Sequence, residues 1–178
     1  AKFGGSSVAD AIQIRKLRDI VSADESIKYV VVSAPGKRYA DDSKVTDLLY
    51  LCKTHIEHKI PYEQIFQVIY DRFMAVEADL GVDVNIKAEL RTIKKDIEEG
   101  ASVDYIASRG EYLNALILAD FTGYDFVDTA QIIKFDENGR YDEAATMPLL
   151  KAELARHHDA VIPGFYGSLP RGQIETLP

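Results

Sequence analysis

Apolar residues recur through much of the chain at intervals of three and four positions, the spacing that gathers them on one face of an α-helix. In the segment 85–99 this face carries Ile86, Leu90, Ile93 and Ile97. The same pattern predicts further helices at about 8–21, 44–57, 62–80, 103–121 and 146–157. Because no strand pattern interrupts residues 44–99, we expect the helices of this stretch to form an excursion beside the main fold.

Runs of β-branched and aromatic residues between these helices predict strands. The strongest run, 27–33, is continuously apolar at its centre and stops before Pro35 and Gly36, which favour a turn. A continuous apolar strand is typical of a parallel sheet covered by helices on both faces. Further strands are predicted at Lys2–Phe3, 124–128, 132–135 and 160–163. The alternation of strands and helices therefore predicts an α/β fold with a mainly parallel sheet.

Composition and charge exclude several classes of protein. The chain is 47% hydrophobic and 28% charged, which excludes a disordered polypeptide. No apolar run reaches the roughly 18–20 residues that cross a bilayer, and no secretory signal is present. The formal net charge of −8 argues against a nucleic-acid-binding protein, which normally has a basic face. We expect a globular, cytoplasmic protein with neither a nucleic-acid nor a membrane partner.

Several reactive residue types are explained without a functional site. Cys52 lies on an apolar helix face and is expected in the core, and a single cysteine cannot form an internal disulfide. His157 and His158 lie near a predicted helix end and favour a dipole interaction over metal binding, since their spacing is not that of a metal motif. Asp41 and Asp42 could attract Mg²⁺, although a solvated loop or a helix cap is the better interpretation. We therefore predict no metal ligands among the side chains.

The segment Lys2–Ser7 places two glycines between a short strand and a helix. Gly4 and Gly5 let the backbone approach a ligand closely, and the N–H groups at a helix start suit phosphate oxygens. Lys2 adds a positive charge. The alternative is a simple strand-to-helix turn in which Ser6 or Ser7 caps the helix. The residues alone support both interpretations equally.

The segment Ser108–Glu111 also has two interpretations. Ser108 and Glu111 have the spacing of a capping box at the start of a helix. Gly110, however, costs up to about 1 kcal/mol in a helix, which suggests a close approach by another group. Arg109 and Glu111 place opposite charges where a small zwitterion could be held.

Three further segments have ordinary structural interpretations when their residues are considered alone. The sequence 33–37 follows the strongest strand, where ligands bind in open α/β sheets, although turn chemistry alone explains Pro35 and Gly36. Thr46 lies near the start of the helix predicted at 44–57 and is an ordinary residue for a first helical turn. Phe165 lies between Gly164 and Gly167 and could equally be a buried aromatic residue.

These segments, in this order, resemble those of aspartate kinases, members of the amino-acid kinase family. The matching sequences are KFGGSS at 2–7, VVVSA at 30–34, KVTDLL at 44–49, SRGE at 108–111 and GFYG at 164–167. The hexapeptide at 2–7 is the most specific of them. The resemblance implies a three-layer αβα sandwich with a mainly parallel sheet, the amino-acid kinase fold, here incomplete and with the helical excursion at about 44–99.

The resemblance also implies a reaction and the residues that perform it. The reaction is the ATP-dependent phosphorylation of L-aspartate to 4-phospho-L-aspartate, with Mg²⁺, in lysine, threonine and methionine biosynthesis. The residues implied to contact the ATP phosphates, with Lys2 in a catalytic role, are Lys2, Gly4, Gly5 and Ser6. The residues implied to hold aspartate are Thr46, Glu111, which would bind its amino group, and Phe165. Arg109 occupies a variable position and receives no role.

The sequence departs from the family pattern near its end. In the family a GRGGSD segment follows within about twenty residues of GFxG, and it is not found before Pro178. The chain opens on Ala1, and residues 173–178 show no helix or strand pattern. We therefore expect residues 1–178 to be the N-terminal, substrate-side part of a kinase domain, without its nucleotide-base half or ACT regulatory domains. The fragment alone is expected to be inactive, and the full-length protein to form a homo-oligomer.

Two alternatives come from different classes. An acetylglutamate or uridylate kinase would share the glycine loop, but neither is expected to carry both KVTDLL and SxGE. The other alternative is a non-catalytic module that retains only an amino-acid-binding pocket.

Overall fold

The computed structural model describes residues 1–178 and is built on a four-stranded parallel sheet in the order β1-β2-β4-β3. Its strands are β1 Lys2–Phe3, β2 Tyr29–Val32, β3 Asp125–Phe126 and β4 Ala160–Pro163. β2 and β4 pair along their full lengths, from Tyr29 opposite Ala160 to Val32 opposite Pro163. The predicted parallel sheet is confirmed, and the carboxyl ends of β1, β2 and β4 are neighbours at one edge.

Helices cover this sheet and also form a lobe beside it. They are α1 Ala11–Ala23, α2 Val45–Glu57, α3 Glu63–Leu80, α4 Ile86–Glu98, α5 Val103–Thr122, α6 Thr129–Ile132 and α7 Glu143–Leu154. Every helix predicted from periodicity is present. α2, α3 and α4 follow one another without a strand, which confirms the helical excursion at about 44–99. No helix is both long and apolar enough to cross a membrane.

The alternation of side chains along β4 separates two layers of helices. Val161 belongs to the large core that α1–α5 share, whereas Ala160 and Ile162 pack on the opposite face. On that face they meet Ile132 of α6 and Leu150 of α7. Because successive side chains of a strand point to opposite faces, the sheet lies between two helical layers, as the three-layer prediction requires.

The first helix begins later than its apolar pattern predicts. A 3₁₀ turn, Gly5–Val8, precedes α1, and no side chain caps this turn. Asp10 caps α1 by accepting a hydrogen bond from the N–H of Gln13 at 2.9 Å. The interpretation in which Ser6 or Ser7 caps the helix is therefore wrong.

Two predictions for the last third of the chain are also wrong. The segment 132–135 is not a strand, because Ile132 ends α6 and the next residues make only isolated bridges, Lys134 with Ser168 and Phe135 with Tyr141. The segment 173–178, predicted to lack regular structure, contains β6 Ile174–Thr176. This strand pairs antiparallel with β5 Tyr166–Ser168.

The capping-box interpretation of Ser108 and Glu111 is wrong for a local reason. α5 begins at Val103, where the Ser102 hydroxyl caps it by accepting a hydrogen bond from the N–H of Tyr105 at 3.1 Å. Ser108 and Glu111 consequently lie in the buried interior of the helix. Their conformation therefore depends on tertiary packing and not on a helix terminus.

Packing or charge pairing accounts for Cys52, His157 and Asp42. Cys52 is fully buried in the core, as predicted, and burial raises the pKa of its thiol to about 12. His157 follows α7 and contacts carboxylates of Glu153 and Asp125 at 2.9 and 2.8 Å. Hydrogen bonds to Glu153 and Asp125 raise the pKa of the imidazole. Asp42 lies in a loop and pairs with Arg38.

Candidate active site

A cleft of about 440 Å³ opens where β1 and β2 end and α2 begins. Its lining is mostly polar and consists of Gly5, Ser6, Ser33, Ala34, Pro35, Gly36, Lys37, Lys44, Thr46 and Glu111. The cleft thus joins four residues that the sequence analysis selected from three distant segments. It also contains Lys37 and Lys44, which belong to the candidate segments 33–37 and 44–49 but were given no role of their own.

Two glycine-containing loops form one wall of the cleft by direct backbone contact. The N–H of Gly36 donates to the carbonyl oxygen of Gly5 at 2.9 Å. A Cβ atom on Gly36 would lie 2.7 Å from the carbonyl carbon of Gly5, closer than real Cβ atoms approach such atoms. Glycine at this position is therefore required for the turn after β1 to meet the loop after β2.

The start of α2 is joined to the same wall. The N–H of Val45 donates to the carbonyl oxygen of Pro35 at 3.1 Å. Thr46 is the next residue and is half-buried at the cleft, in the first turn of α2. Its predicted place near a helix start is confirmed.

α5 closes the inner side of the cleft, and Gly110 explains how closely it can pack. A Cβ atom on Gly110 would lie 2.7 Å from the Cβ atom of Ala34, so any larger residue would push the helix away from the loop after β2. The amide nitrogen of Asn114 also donates to the carbonyl oxygen of Ser33 at 2.8 Å. The close approach suggested by a glycine within this segment is therefore made by Ala34.

Glu111 presents a buried carboxylate to the cleft. The residue is 6% exposed, and its Oε2 atom has no hydrogen-bond partner within the protein. Burial raises the pKa of this carboxyl group to about 7, while the backbone N–H groups of Glu111 and Ala34 and the charge of Arg109 act in the opposite direction. An unpartnered buried carboxylate is costly, and a cationic ligand group would satisfy it.

Lys2 and Phe165 lie in a second cavity at the same edge of the sheet. This cavity, of about 360 Å³, is mainly apolar and adjoins the ends of β2 and β4. Phe165 has a left-handed backbone conformation, with φ of 79°, which is strained for a residue with a side chain. Gly4 is exposed and lines neither cavity. The structure therefore places Gly5, Ser6, Thr46 and Glu111 at the cleft, Lys2 and Phe165 at the second cavity, and Gly4 at neither.

Arg109, for which the sequence analysis assigned no role, is buried within a cluster of aromatic rings. Its guanidinium carbon lies 4.6, 4.5 and 5.3 Å from the ring centres of Tyr105, Tyr112 and Tyr166. One terminal nitrogen has no hydrogen-bond partner. Because Tyr166 follows Phe165, this cation–π cluster connects the helix that carries Glu111 to the second cavity.

The structure contains no group of three or more His, Cys, Asp or Glu side chains that could hold a metal ion. The positive charges at the cleft belong instead to Lys37 and Lys44, and its negative charge to Glu111. Backbone N–H groups of the glycine turn add neutral donors. This combination suits a ligand that carries both anionic groups and an ammonium group.

Comparison with known proteins extends this description. No model of a protein family matches the chain. Aspartokinase 3 of Bacillus subtilis is 31% identical over 191 residues, which cover 99% of this chain and 42% of that protein.

Among solved structures, Clostridium acetobutylicum aspartate kinase has a TM-score of 0.96 and 45% identity, covering 99% of this chain and 41% of that one. Escherichia coli aspartokinase III in complex with aspartate and ADP has a TM-score of 0.80 and 25% identity, covering 99% and 42%. The chain thus spans about two-fifths of the length of the proteins it matches. From this agreement of sequence and fold along the whole chain, we conclude that it belongs to the aspartate kinase family.

Proposed function

We propose that the full-length protein containing this chain transfers the γ-phosphoryl group of ATP to the side-chain carboxylate of L-aspartate, forming 4-phospho-L-aspartate and ADP. This is the first step of lysine, threonine and methionine biosynthesis. The observation that carries the proposal is the cleft that brings Gly5 and Ser6 together with Thr46 and Glu111. The aspartate and ADP bound to the E. coli relative support the same assignment.

For the amino acid, we assign the ammonium group to Glu111. The free Oε2 atom of Glu111 is buried and can accept a charge-assisted hydrogen bond, which is stronger than a neutral one. Thr46, in the first turn of α2, supplies a hydroxyl group beside it. The two residues fix one end of aspartate, so that its side-chain carboxylate can extend toward the glycine turn.

For the nucleotide, we assign the phosphates to the glycine turn. Gly4, Gly5 and Ser6 offer backbone N–H groups and a hydroxyl group at the end of β1, and Lys2 offers a positive charge. The chain has no group of three or more His, Cys, Asp or Glu side chains that could hold a metal ion, and the proposal lets Mg²⁺ arrive with the nucleotide phosphates without assigning it a protein ligand.

The transfer itself requires positioning more than covalent chemistry by the protein. A carboxylate oxygen of aspartate forms a bond to the γ-phosphorus while the bond to the β,γ-bridging oxygen breaks, and ADP leaves with that electron pair. No proton has to be removed from the carboxylate. The protein therefore contributes alignment of the two substrates and compensation of charge on the transferring group.

Lys2 and Phe165 are assigned to the same reaction from the neighbouring cavity. The proposal requires the bound substrates to extend from the cleft toward the ends of β1 and β4, where these two side chains lie. Phe165 would then form an apolar wall for aspartate, and Lys2 would compensate the charge of the transferring phosphoryl group.

We further propose that residues 1–178 are the N-terminal, substrate-side part of a longer kinase, because the aligned relatives are more than twice as long. The nucleotide-base half and the regulatory ACT domains belong to the remainder in this proposal. The full-length protein is proposed to be a cytoplasmic homo-oligomer.

The proposal is tested by coupled ADP release from the full-length protein with ATP and a panel of aspartate, N-acetylglutamate and UMP. We expect ADP release with ATP and aspartate, and none with ATP and either of the other two acceptors. Turnover with N-acetylglutamate or UMP instead would assign the chain to another member of the amino-acid kinase family. Aspartate binding without nucleotide binding or turnover, measured by calorimetry, would favour a binding module.

A further inference from the structure

Arg72, on α3 of the helical excursion, is a buried arginine whose partners belong to the cleft. The residue is 6% exposed although it is charged, and burial lowers the pKa of its guanidinium. A buried charge persists in a fold only when hydrogen bonds or opposite charges compensate it. The partners of Arg72 therefore show what this charge is used for.

Three backbone carbonyl groups receive hydrogen bonds from the guanidinium of Arg72. One terminal nitrogen donates to Ser43 at 2.8 Å. The other donates to Ala9 at 3.0 Å and to Gly36 at 2.8 Å. Each acceptor lies in a different segment, and the separations along the chain are 29, 63 and 36 residues.

Each of these segments continues into a part of the proposed site. Ala9 directly follows the 3₁₀ turn that begins at Gly5, Gly36 belongs to the loop after β2, and Ser43 lies three residues before Thr46. One rigid, planar group therefore spans the segment assigned to the ATP phosphates and the segment assigned to aspartate. A guanidinium has five N–H donors in a fixed geometry, which an ammonium group cannot reproduce.

The surroundings of Arg72 also explain how its charge is balanced. Asp42 lies 3.9 Å from one terminal nitrogen of Arg72, and the side chain of Arg38 donates hydrogen bonds to Asp42 at 2.6 and 2.9 Å. Hydrogen bonds from Arg38 hold the pKa of Asp42 far below its usual range. Arg38 therefore keeps a carboxylate near Arg72 and orders the loop between β2 and α2.

We propose that Arg72 is a positioning residue that sets the distance between the two substrates in the kinase reaction. It does not line the cleft to which the two substrates are assigned. Its contribution is to fix the relative positions of the glycine turn, the loop after β2 and the start of α2. This inference rests on the proposed function, because those relative positions matter for the reaction only if two substrates meet there.

The inference predicts a particular kinetic effect of R72K in the full-length protein. Lysine keeps the charge but cannot bind all three carbonyl groups, so each substrate should still bind while their alignment is lost. We expect kcat to fall by about 10- to 100-fold, with the KM values for aspartate and ATP changed by less than about 3-fold. The control is R91K, since Arg91 is exposed on α4.

Two further measurements distinguish positioning from a general loss of structure. Amide hydrogen exchange of R72K should become faster in residues 5–10, 34–37 and 43–46, while exchange in the core of α5 stays within about 2-fold of wild type. In R72A, millimolar guanidinium should restore kcat several-fold and urea should not. If R72K is not recovered folded, R72A with and without guanidinium replaces it.

The result that overturns the inference is a kcat of R72K within about 2-fold of wild type. The inference is also contradicted if kcat falls only in proportion to the fraction of folded protein and guanidinium does not restore it. Failure of both variants to fold would make Arg72 a residue of global stability and would also contradict it. The exchange measurement requires no activity, so it separates failure of this inference from failure of the proposed kinase function.

Discussion

Glu111 shows most clearly, among single residues, how function and stability conflict in this chain. Its carboxylate lies in the interior of α5, with one oxygen atom unpartnered at the cleft. Burial raises its pKa to about 7, from an ordinary value of 4.5. The folded protein therefore favours the neutral form, whereas the proposed binding of an ammonium group requires the ionised form.

This conflict predicts that E111Q stabilises the protein at alkaline pH. Because the folded pKa is raised, the contribution of Glu111 to stability is largest below about pH 4.5 and is lost as the pH rises through about 7. Glutamine has no charge to bury, so the free energy of unfolding at pH 8 should rise by about 1–3 kcal/mol. At pH 5 the gain should be below about 1 kcal/mol. Urea unfolding of the 178-residue chain at both pH values measures it.

The matched control for that measurement is E137Q, since Glu137 is exposed in a turn. This variant should change the free energy of unfolding by less than about 0.5 kcal/mol at either pH. A loss of stability in E111Q at pH 8 would show that the carboxylate is satisfied in the folded protein, contrary to its unpartnered oxygen atom.

The same pKa predicts how aspartate recognition depends on pH. In the full-length protein, kcat/KM for aspartate should fall about tenfold for each pH unit below about 7, as Glu111 becomes protonated. Initial rates between pH 5.5 and 8.5 measure this profile. E111Q should have a low and flat profile over the same range. A wild-type profile without an inflection near 7 would contradict the role of Glu111.

At the scale of elements, the helices and strands differ in how well their sequences predict them. α4 repeats its apolar residues regularly and is found where the pattern places it. β5 and β6 are three residues long and carry no alternation that marks them as strands. They form because β6 reaches α5, where the N–H and hydroxyl groups of Thr176 both donate to Asp104. Such a contact joins residues 72 apart, so no local pattern reveals it.

The site shows the same division between local and long-range information. Gly5, Thr46 and Glu111 could be selected because their segments resemble those of aspartate kinases. Arg72 could not, since it looks like any charged residue of an amphipathic helix until its three carbonyl partners are seen. Ser108 and Glu111 have the SxxE spacing of a capping box, but the helix begins earlier, at the Ser102 cap.

The packing of α5 against the loop after β2 yields a prediction for this pair of elements. G110A places a methyl group against Ala34, so the free energy of unfolding should fall by about 1–3 kcal/mol. Adding A34G removes the opposing methyl group and should restore most of this loss. Urea unfolding of the two single variants and the double variant gives their coupling energy, expected to exceed about 1 kcal/mol. Additive effects would contradict the close contact between the two elements.

At the scale of the whole molecule, the net charge is negative, whereas two lysines lie at the cleft. The net charge of −8 excludes a general affinity for polyanions, yet Lys37 and Lys44 collect positive charge at the cleft. The sheet places the ends of β1, β2 and β4 together. The helical lobe carries Arg72, which donates a hydrogen bond to the carbonyl group of Gly36 in the loop after β2. The parallel sheet thus gathers the site, and the lobe holds its loops in place.

The most direct test of the proposed aspartate phosphorylation is to trap the acyl phosphate that the full-length protein is expected to form. With ATP, aspartate and hydroxylamine, the wild type should produce aspartyl hydroxamate in equal amount to ADP, because hydroxylamine attacks the acyl phosphate. E111Q, measured at the same aspartate concentration, should produce at least about 100-fold less. ADP without hydroxamate, or the same hydroxamate yield from E111Q as from the wild type, would contradict the proposed phosphorylation of aspartate at this cleft.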